Sequence, residues 1–357
     1  MTSRPGRRAG ITAALALTPL AAWRFAYAYR ARAGYPRQNP STSDPAALGL
    51  AFEDVTVPSP GMGSLPGWWI PGDGSGPAPA VLLVHGWESA RDRTLPNALV
   101  LHAAGFHVLT IDVRAHGANP PEELPLTAGE FGIDAAAGAR YLLARADVTT
   151  VAILGHSMGA IGALLAAAAE PRIRAVVAVS TPADPYRLTR QTFHLANLPI
   201  PDVVAYPLAW LTTRVFLAPR GHDVRSVSAT AAIASYAGPV LLIHGTEDRV
   251  VPFGHMARLA RRARRVRAGG PVGAPIEVLS IPGGHHSWLF ESPAYRAAIA
   301  RFLARELGGP VEPAVAAARA IAVPAVRMPD PGPPGFSAIE GEPGGVRTLV
   351  RVLGPHG

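Results

Sequence analysis

The apolar run at 150–154 (Thr-Val-Ala-Ile-Leu) passes directly into Gly155-His156-Ser157-Met158-Gly159, and a run of small residues, Ala160 to Ala169, follows at once. A strand that enters a helix without a loop must turn sharply. The residue at the tip of that turn is held in a strained conformation, with its side chain directed away from the sheet. Gly155 and Gly159 have no Cβ, so the arriving strand and the departing helix can approach closely. Ser157 therefore reads as a candidate nucleophile, against the plainer role of a helix N-cap.

A serine hydroxyl needs a base to take its proton, a carboxylate to hold that base, and donors for the oxyanion. With this turn the chain order is Ser, then Asp or Glu, then His. Residues 239–245 (Pro-Val-Leu-Leu-Ile-His-Gly) read as a buried parallel strand, and Asp248 stands in the loop beyond its carboxyl end. The apolar run Ile276 to Ile281 leads into Pro282-Gly283-Gly284-His285-His286, so the next loop carries two histidines, either of which could be the base. Asp184, after the preceding strand, is the replacement acid if Asp248 only caps a turn. Upstream, the run at 80–84 ends in His85-Gly86-Trp87; the backbone N–H groups of Trp87 and Met158 are the expected oxyanion donors. Four strand ends thus contribute to one rim, where open α/β sheets place their ligands.

These stretches, with Asp112-Val113-Arg114-Ala115-His116-Gly117 after the strand at 108–111, resemble the α/β-hydrolase superfamily over residues 80–291. The resemblance implies a mostly parallel, doubly wound sheet with a helical lid insertion, and a serine hydrolase acting without a cofactor. In that family the base commonly lies five residues before a Glu and seven before a Pro. Glu291 and Pro293 hold those positions relative to His286, which favours His286, with His285 as the alternative base. His156 is expected to pack under the turn, and Asp112, Arg114 and His116 to brace loops.

Composition excludes whole classes. The chain has no Cys, and all 33 basic residues are Arg. Thiol nucleophiles, thiolate metal sites, Lys-bearing phosphate loops and pyridoxal Schiff bases are therefore absent, and no His-Glu-x-x-His pair occurs. The net charge of +8 does not indicate nucleic acid, because the densest basic run, Arg258 to Arg267, lies on one expected helix without interleaved aromatics. A solvated helix face is the default reading, with anionic lipid headgroups as the sharper one.

Residues 1–29 read as a hydrophobic anchor or export signal. Gly10 to Ala22 carry no charge, a length that suits a signal-peptide core, and Trp23 to Tyr29 extend it to spanning length with an aromatic belt. The localisation expected is membrane-associated or exported, with a cytoplasmic protein not excluded. Residues 30–48 are expected to be a linker and 49–307 the catalytic domain, opened by a hairpin of 53–57 and 67–70, with a helix at 133–144 and a lid at about 181–236. Residues 308–357, rich in Pro, Gly and Ala, are expected to be a mostly disordered tail. The chemistry expected is cleavage of a carboxylic ester or thioester of a small-molecule acyl substrate through an acyl-enzyme. A serine peptidase of the same fold and a non-catalytic hydrolase-like binding protein are the alternatives. A dehalogenase is disfavoured because dehalogenases of this fold place Asp at the turn.

Overall fold

Short apolar runs rich in Val, Ile and Leu become strands covered on both faces, and the segments between them become the helices that cover them. The computed structural model describes residues 5–74, 76–196, 198–268 and 274–328. In chain order these form α1 (Pro5–Ala33), β1 (Glu53–Ser59), β2 (Gly63–Ile70), β3 (Ala78–Val84), α2 (Leu95–Ala103), β4 (His107–Ile111), α3 (Ala128–Leu143), β5 (Val148–His156) and α4 (Met158–Ala169). There follow β6 (Ile173–Val179), α5 (Pro185–Leu195), α6 (Asp202–Leu217), α7 (Ala229–Ser235), β7 (Val240–Gly245), α8 (Gly254–Ala268), β8 (Ile276–Ile281), α9 (Pro293–Leu307) and α10 (Pro313–Ala322).

The strands make one eight-stranded sheet in the order β1-β2-β4-β3-β5-β6-β7-β8. From β4 to β8 all pairings are parallel, and β1 and β2 add antiparallel at one edge. In the central strand β3 every residue is buried, and Leu82 sits opposite Leu109 on one side and Ile153 on the other. Alternation divides the core: Ala80, Leu82 and Val84 join the cluster under α3, α4, α7 and α8, while Val81 and Leu83 join the one under α2, α9 and α10. Truncating Leu82 to Ala would cost about 2–5 kcal/mol.

The entry hairpin is longer than expected. Its strands run to Ser59 and from Gly63, because Gly61 and Gly63 adopt φ of 73° and 85° and close a tight turn where the sequence suggested nine loop residues. Helix α3 begins at Ala128 rather than 133: Thr127 and Glu130 form a capping box, with Gly129 N–H donating to Thr127 Oγ1 at 3.0 Å and Thr127 N–H to Glu130 Oε2 at 2.8 Å.

Three larger expectations change. First, among the described residues no helix is long and apolar enough to cross a membrane. The first segment is a helix, α1, and one face of its aromatic end turns inward, where Phe25, Tyr29 and Ala33 pack with Phe193, Ala205, Ala209 and Phe216 of α5 and α6, while Trp23 and Tyr27 stay exposed. Second, of the segment at 181–236 only α5 and α6 form the cap, while α7 packs onto the sheet through Ala229, Ala232 and Ile233. Third, the tail is ordered to residue 328: α10 buries Ala316, Ala317 and Ala320 and packs beside α9. A stripe of alanines needs little room, which lets α10 approach closely. The rest of the expected tail lies outside the described residues.

Candidate active site

The turn between β5 and α4 has the geometry its sequence demands. Ser157 has φ 54° and ψ −115°, a conformation that costs energy outside glycine. It is held by its N–H donating to Val179 O at 2.9 Å and by the first bonds of α4. The two glycines face different neighbours: a Cβ on Gly155 would lie 2.3 Å from Gly159 O, and one on Gly159 would lie 2.3 Å from the carbonyl oxygens of Val84 and His85. The close approach on the Gly159 side is therefore to β3 and its exit turn.

That exit turn, His85-Gly86-Trp87, lies against the nucleophile turn; a Cβ on Gly86 would be 3.4 Å from Ser157 Cβ. Trp87 and Met158 line the same cavity as Ser157. Met158 is the first residue of α4, so its N–H is one of those the helix leaves unpaired, at the positive end of its dipole.

Of the two loop histidines, His286 faces the carboxylate: its Nδ1–H donates to Asp248 Oδ2 at 2.8 Å. In the neutral ring this leaves the Nε2 lone pair as the proton acceptor. His286 lines the cavity with Ser157, whereas His285 Nδ1 lies 3.4 Å from Glu247 O. Asp248 is buried and accepts two further bonds, from Val251 N–H to Oδ1 at 2.7 Å and from His244 Nε2–H to Oδ2 at 3.1 Å. Burial alone would raise its pKa, but the attraction of His286 and the bonds from both histidines outweigh it and hold the carboxyl well below the usual range. Asp184 is elsewhere. It precedes α5 and binds the hydroxyls of Ser228 and Thr230, with Arg187 nearby.

His156, expected under the turn, and Ser180 and His244, which sequence reasoning did not single out, complete the frame. The carbonyl of His286 accepts from His156 Nε2–H at 2.9 Å and from Ser180 Oγ–H at 2.9 Å. His156 thus braces the loop of the other histidine, and burial, with the nearby His286, keeps its own pKa down at about 4. His244 is the last but one residue of β7 and shares its Nε2–H between Asp248 and Val251 O, 2.7 Å away. Its position four residues before Asp248, at a strand end, was the only local signal. Five non-glycine residues among those described have positive φ, and Glu88, Ser157, Ser180 and Trp288 belong to the loops just named. Strain collected in one place is a common mark of function.

The expected bracing residues do brace. Asp112 accepts from Arg91 N–H at 2.8 Å and Ala118 N–H at 3.1 Å, and Arg114 forms a buried ion pair with Asp134 at 2.6 Å. The exposed arginines at 261, 262, 264 and 265 lie on the outer face of α8, and Arg267 folds back onto the carbonyls of Tyr236 and Gly238. Among the described residues no group of three His, Asp or Glu is placed to hold a metal ion.

The cavity above Ser157 has a volume of about 240 Å³. The wing under α5 and α6 is lined by Leu188, Phe216 and Leu217 together with Thr189, Thr192 and Thr213; the other, beside the Trp87 turn, carries Asn39, Glu88 and Arg93. A strained serine and an imidazole held by a buried carboxylate, both lining one cavity, form an arrangement that can perform acyl transfer.

A family model described as the alpha/beta hydrolase fold matches residues 79–234. An uncharacterized protein of Mycobacterium tuberculosis is 30% identical over 275 residues, 75% of this chain and 85% of that protein. A Pyrococcus furiosus esterase superposes with a TM-score of 0.61 at 23% identity, over 77% of this chain and 98% of its own. A puromycin-hydrolyzing peptidase of Mycobacterium tuberculosis does so with a TM-score of 0.57 at 19% identity, over 73% of this chain and 40% of its own. At such identities the two solved structures speak to the fold alone. Sheet order, nucleophile turn and relatives agree: the chain belongs to the α/β-hydrolase superfamily.

Proposed function

We propose that this protein cleaves carboxylic esters or thioesters through an acyl-enzyme on Ser157. The reading rests above all on the Asp248–His286 bond, which leaves the Nε2 lone pair of a ring that lines the same cavity as Ser157 to accept a proton. His286 takes the Ser157 proton as Oγ bonds to the substrate carbonyl carbon, and the carbonyl oxygen becomes an oxyanion facing the Trp87 and Met158 amides. Collapse expels the alcohol or thiol, which receives that proton from His286. Water, deprotonated by the same imidazole, then releases the acid. Asp248 keeps the ring oriented and stabilises the imidazolium. The many apolar side chains that line the cavity, Ile161, Leu188, Phe216 and Leu217 among them, support a hydrocarbon acyl group.

Labelling with a fluorophosphonate tests the nucleophile. Wild type should be modified at Ser157 and Ser157→Ala should not; an unlabelled wild type without turnover would leave a binding scaffold. A panel of p-nitrophenyl esters, matched thioesters and peptide amides then tests the leaving group. Amide cleavage exceeding ester cleavage would favour the peptidase reading instead.

A further inference from the structure

The segment at 29–39, which the sequence suggested was the end of an anchor followed by a linker, is built into the substrate cavity. Tyr29 and Ala33 line it beside the cap residues Phe216 and Leu217, and Asn39 lines its polar wing. Tyr29 is 7% exposed, its ring meets Phe193 and Phe216 edge-on at 6.1 and 6.2 Å, and its hydroxyl lies 3.2 Å from Thr192 Oγ1. Arg30 donates to Val215 O at 3.2 Å.

The segment is also fixed to the catalytic body. Leu126 N–H donates to Gly34 O at 2.7 Å, and Gly34 packs so closely that a Cβ there would lie 2.5 Å from Pro125 Cβ. Further on, Arg37 N–H donates to Glu88 Oε1 at 2.8 Å and Asn39 Nδ2–H to Glu88 O at 2.7 Å. Glu88 follows Trp87 directly and has φ 49°, so the segment clamps the turn that carries an expected oxyanion donor. A loosely attached leader would make none of these bonds.

Resting on the ester-hydrolase reading above, we propose that residues 29–39 are a permanent wall of the substrate cavity and that Tyr29 and Ala33 set the length of acyl chain it admits. A hydrocarbon gains from leaving water against the apolar side chains of the lining, and among these Phe216 packs directly with Tyr29 and Ala33. Each methylene that finds room there should raise kcat/KM about fourfold, until the chain meets the wall.

The test is the acyl-length profile of full-length protein on p-nitrophenyl esters, with thermal unfolding and fluorophosphonate labelling followed for each variant. Tyr29→Ala removes a ring from the wall and should move the optimum to longer chains, with about a tenfold gain for the first chain beyond the wild-type limit. Ala33→Leu fills the same wing and should move it to shorter ones. Trp23→Ala, on the outward face of α1 at 49% exposure, should leave the profile as it is. If Tyr29→Ala does not fold, Ala33→Leu decides. Labelled, folded variants with the wild-type optimum overturn the proposal and leave the hydrolase reading intact. A wild type that neither labels nor turns over any ester sinks both.

Discussion

Replacing Asp248 by Asn separates the two acids that the sequence offered, and the size of the effect can be worked from the hydrogen bonds. The carboxylate accepts three N–H groups: His286 Nδ1–H and His244 Nε2–H at Oδ2, at 2.8 and 3.1 Å, and Val251 N–H at Oδ1, at 2.7 Å. An asparagine has one acceptor oxygen and one amino group. If its oxygen faces the histidines, its amino group opposes Val251 N–H, and a buried donor is left unmet at a cost of about 1–3 kcal/mol. If it turns the other way, the amino group faces His286, whose Nδ1 must then give up its proton. The lone pair needed at Nε2 is lost with that change of tautomer. In either arrangement the negative charge that stabilises the imidazolium is gone. The expected loss in kcat is about 10³–10⁴-fold, or roughly 4–5.5 kcal/mol, with KM nearly unchanged. The assay is steady-state hydrolysis of a short-chain p-nitrophenyl ester, with thermal unfolding to confirm a folded variant. Asp184→Asn should stay within about twofold in kcat, because Asp184 is engaged with Ser228 and Thr230. A folded Asp248→Asn variant within tenfold of wild type, or a thousandfold loss in Asp184→Asn, would refute the reasoning.

Three further outcomes follow from the same geometry. His156→Ala removes one of the two donors on His286 O and should lower kcat about tenfold with little change in KM; an effect on KM alone would mean that His156 only shapes the cavity. Gly159→Ala would set a Cβ 2.3 Å from two backbone oxygens and should cost about 3 kcal/mol, seen as a Tm roughly 6–12 °C lower; an unchanged Tm would contradict the close packing. Burial, reinforced in each case by a neighbouring histidine, holds His116 at about 3 and His156 and His255 at about 4, below the ordinary 6.5. The unfolded chain takes up these protons first, so stability is full above pH 6.5 and falls as pH drops toward 4, by up to about 1.4 kcal/mol per pH unit for each histidine. A Tm that stays flat across that window would show these rings to be solvated.

The strands themselves and the strained turn were legible from sequence because they rest on local rules. Apolar runs of strand length, Gly155 and Gly159 around Ser157, and histidine or acid just past a strand end are patterns in neighbouring residues. The capping box at Thr127 and Glu130 was equally local, and reading it would have placed the start of α3 correctly. Other features depend on which distant surfaces meet. Hydropathy gave residues 1–29 the look of a membrane or export segment, since an aromatic-rich apolar stretch suits a bilayer edge and a protein cap alike. The packing of Phe25 and Tyr29 against Phe193 and Phe216 is a contact that hydropathy does not carry. Alanines in α10 were too small to signal a core by themselves, yet against α9 their size is what permits burial. The spacing to Glu291 and Pro293 already favoured His286 over His285, but the bracing of its loop by His156 and Ser180, residues 130 and 106 positions away along the chain, is a tertiary contact. The sequence by itself therefore determined the scaffold and the candidate nucleophile turn, because both follow from local periodicity and turn stereochemistry. Tertiary structure alone decided how those groups are aimed and what walls the cavity, because both are contacts between segments with no local bias toward each other.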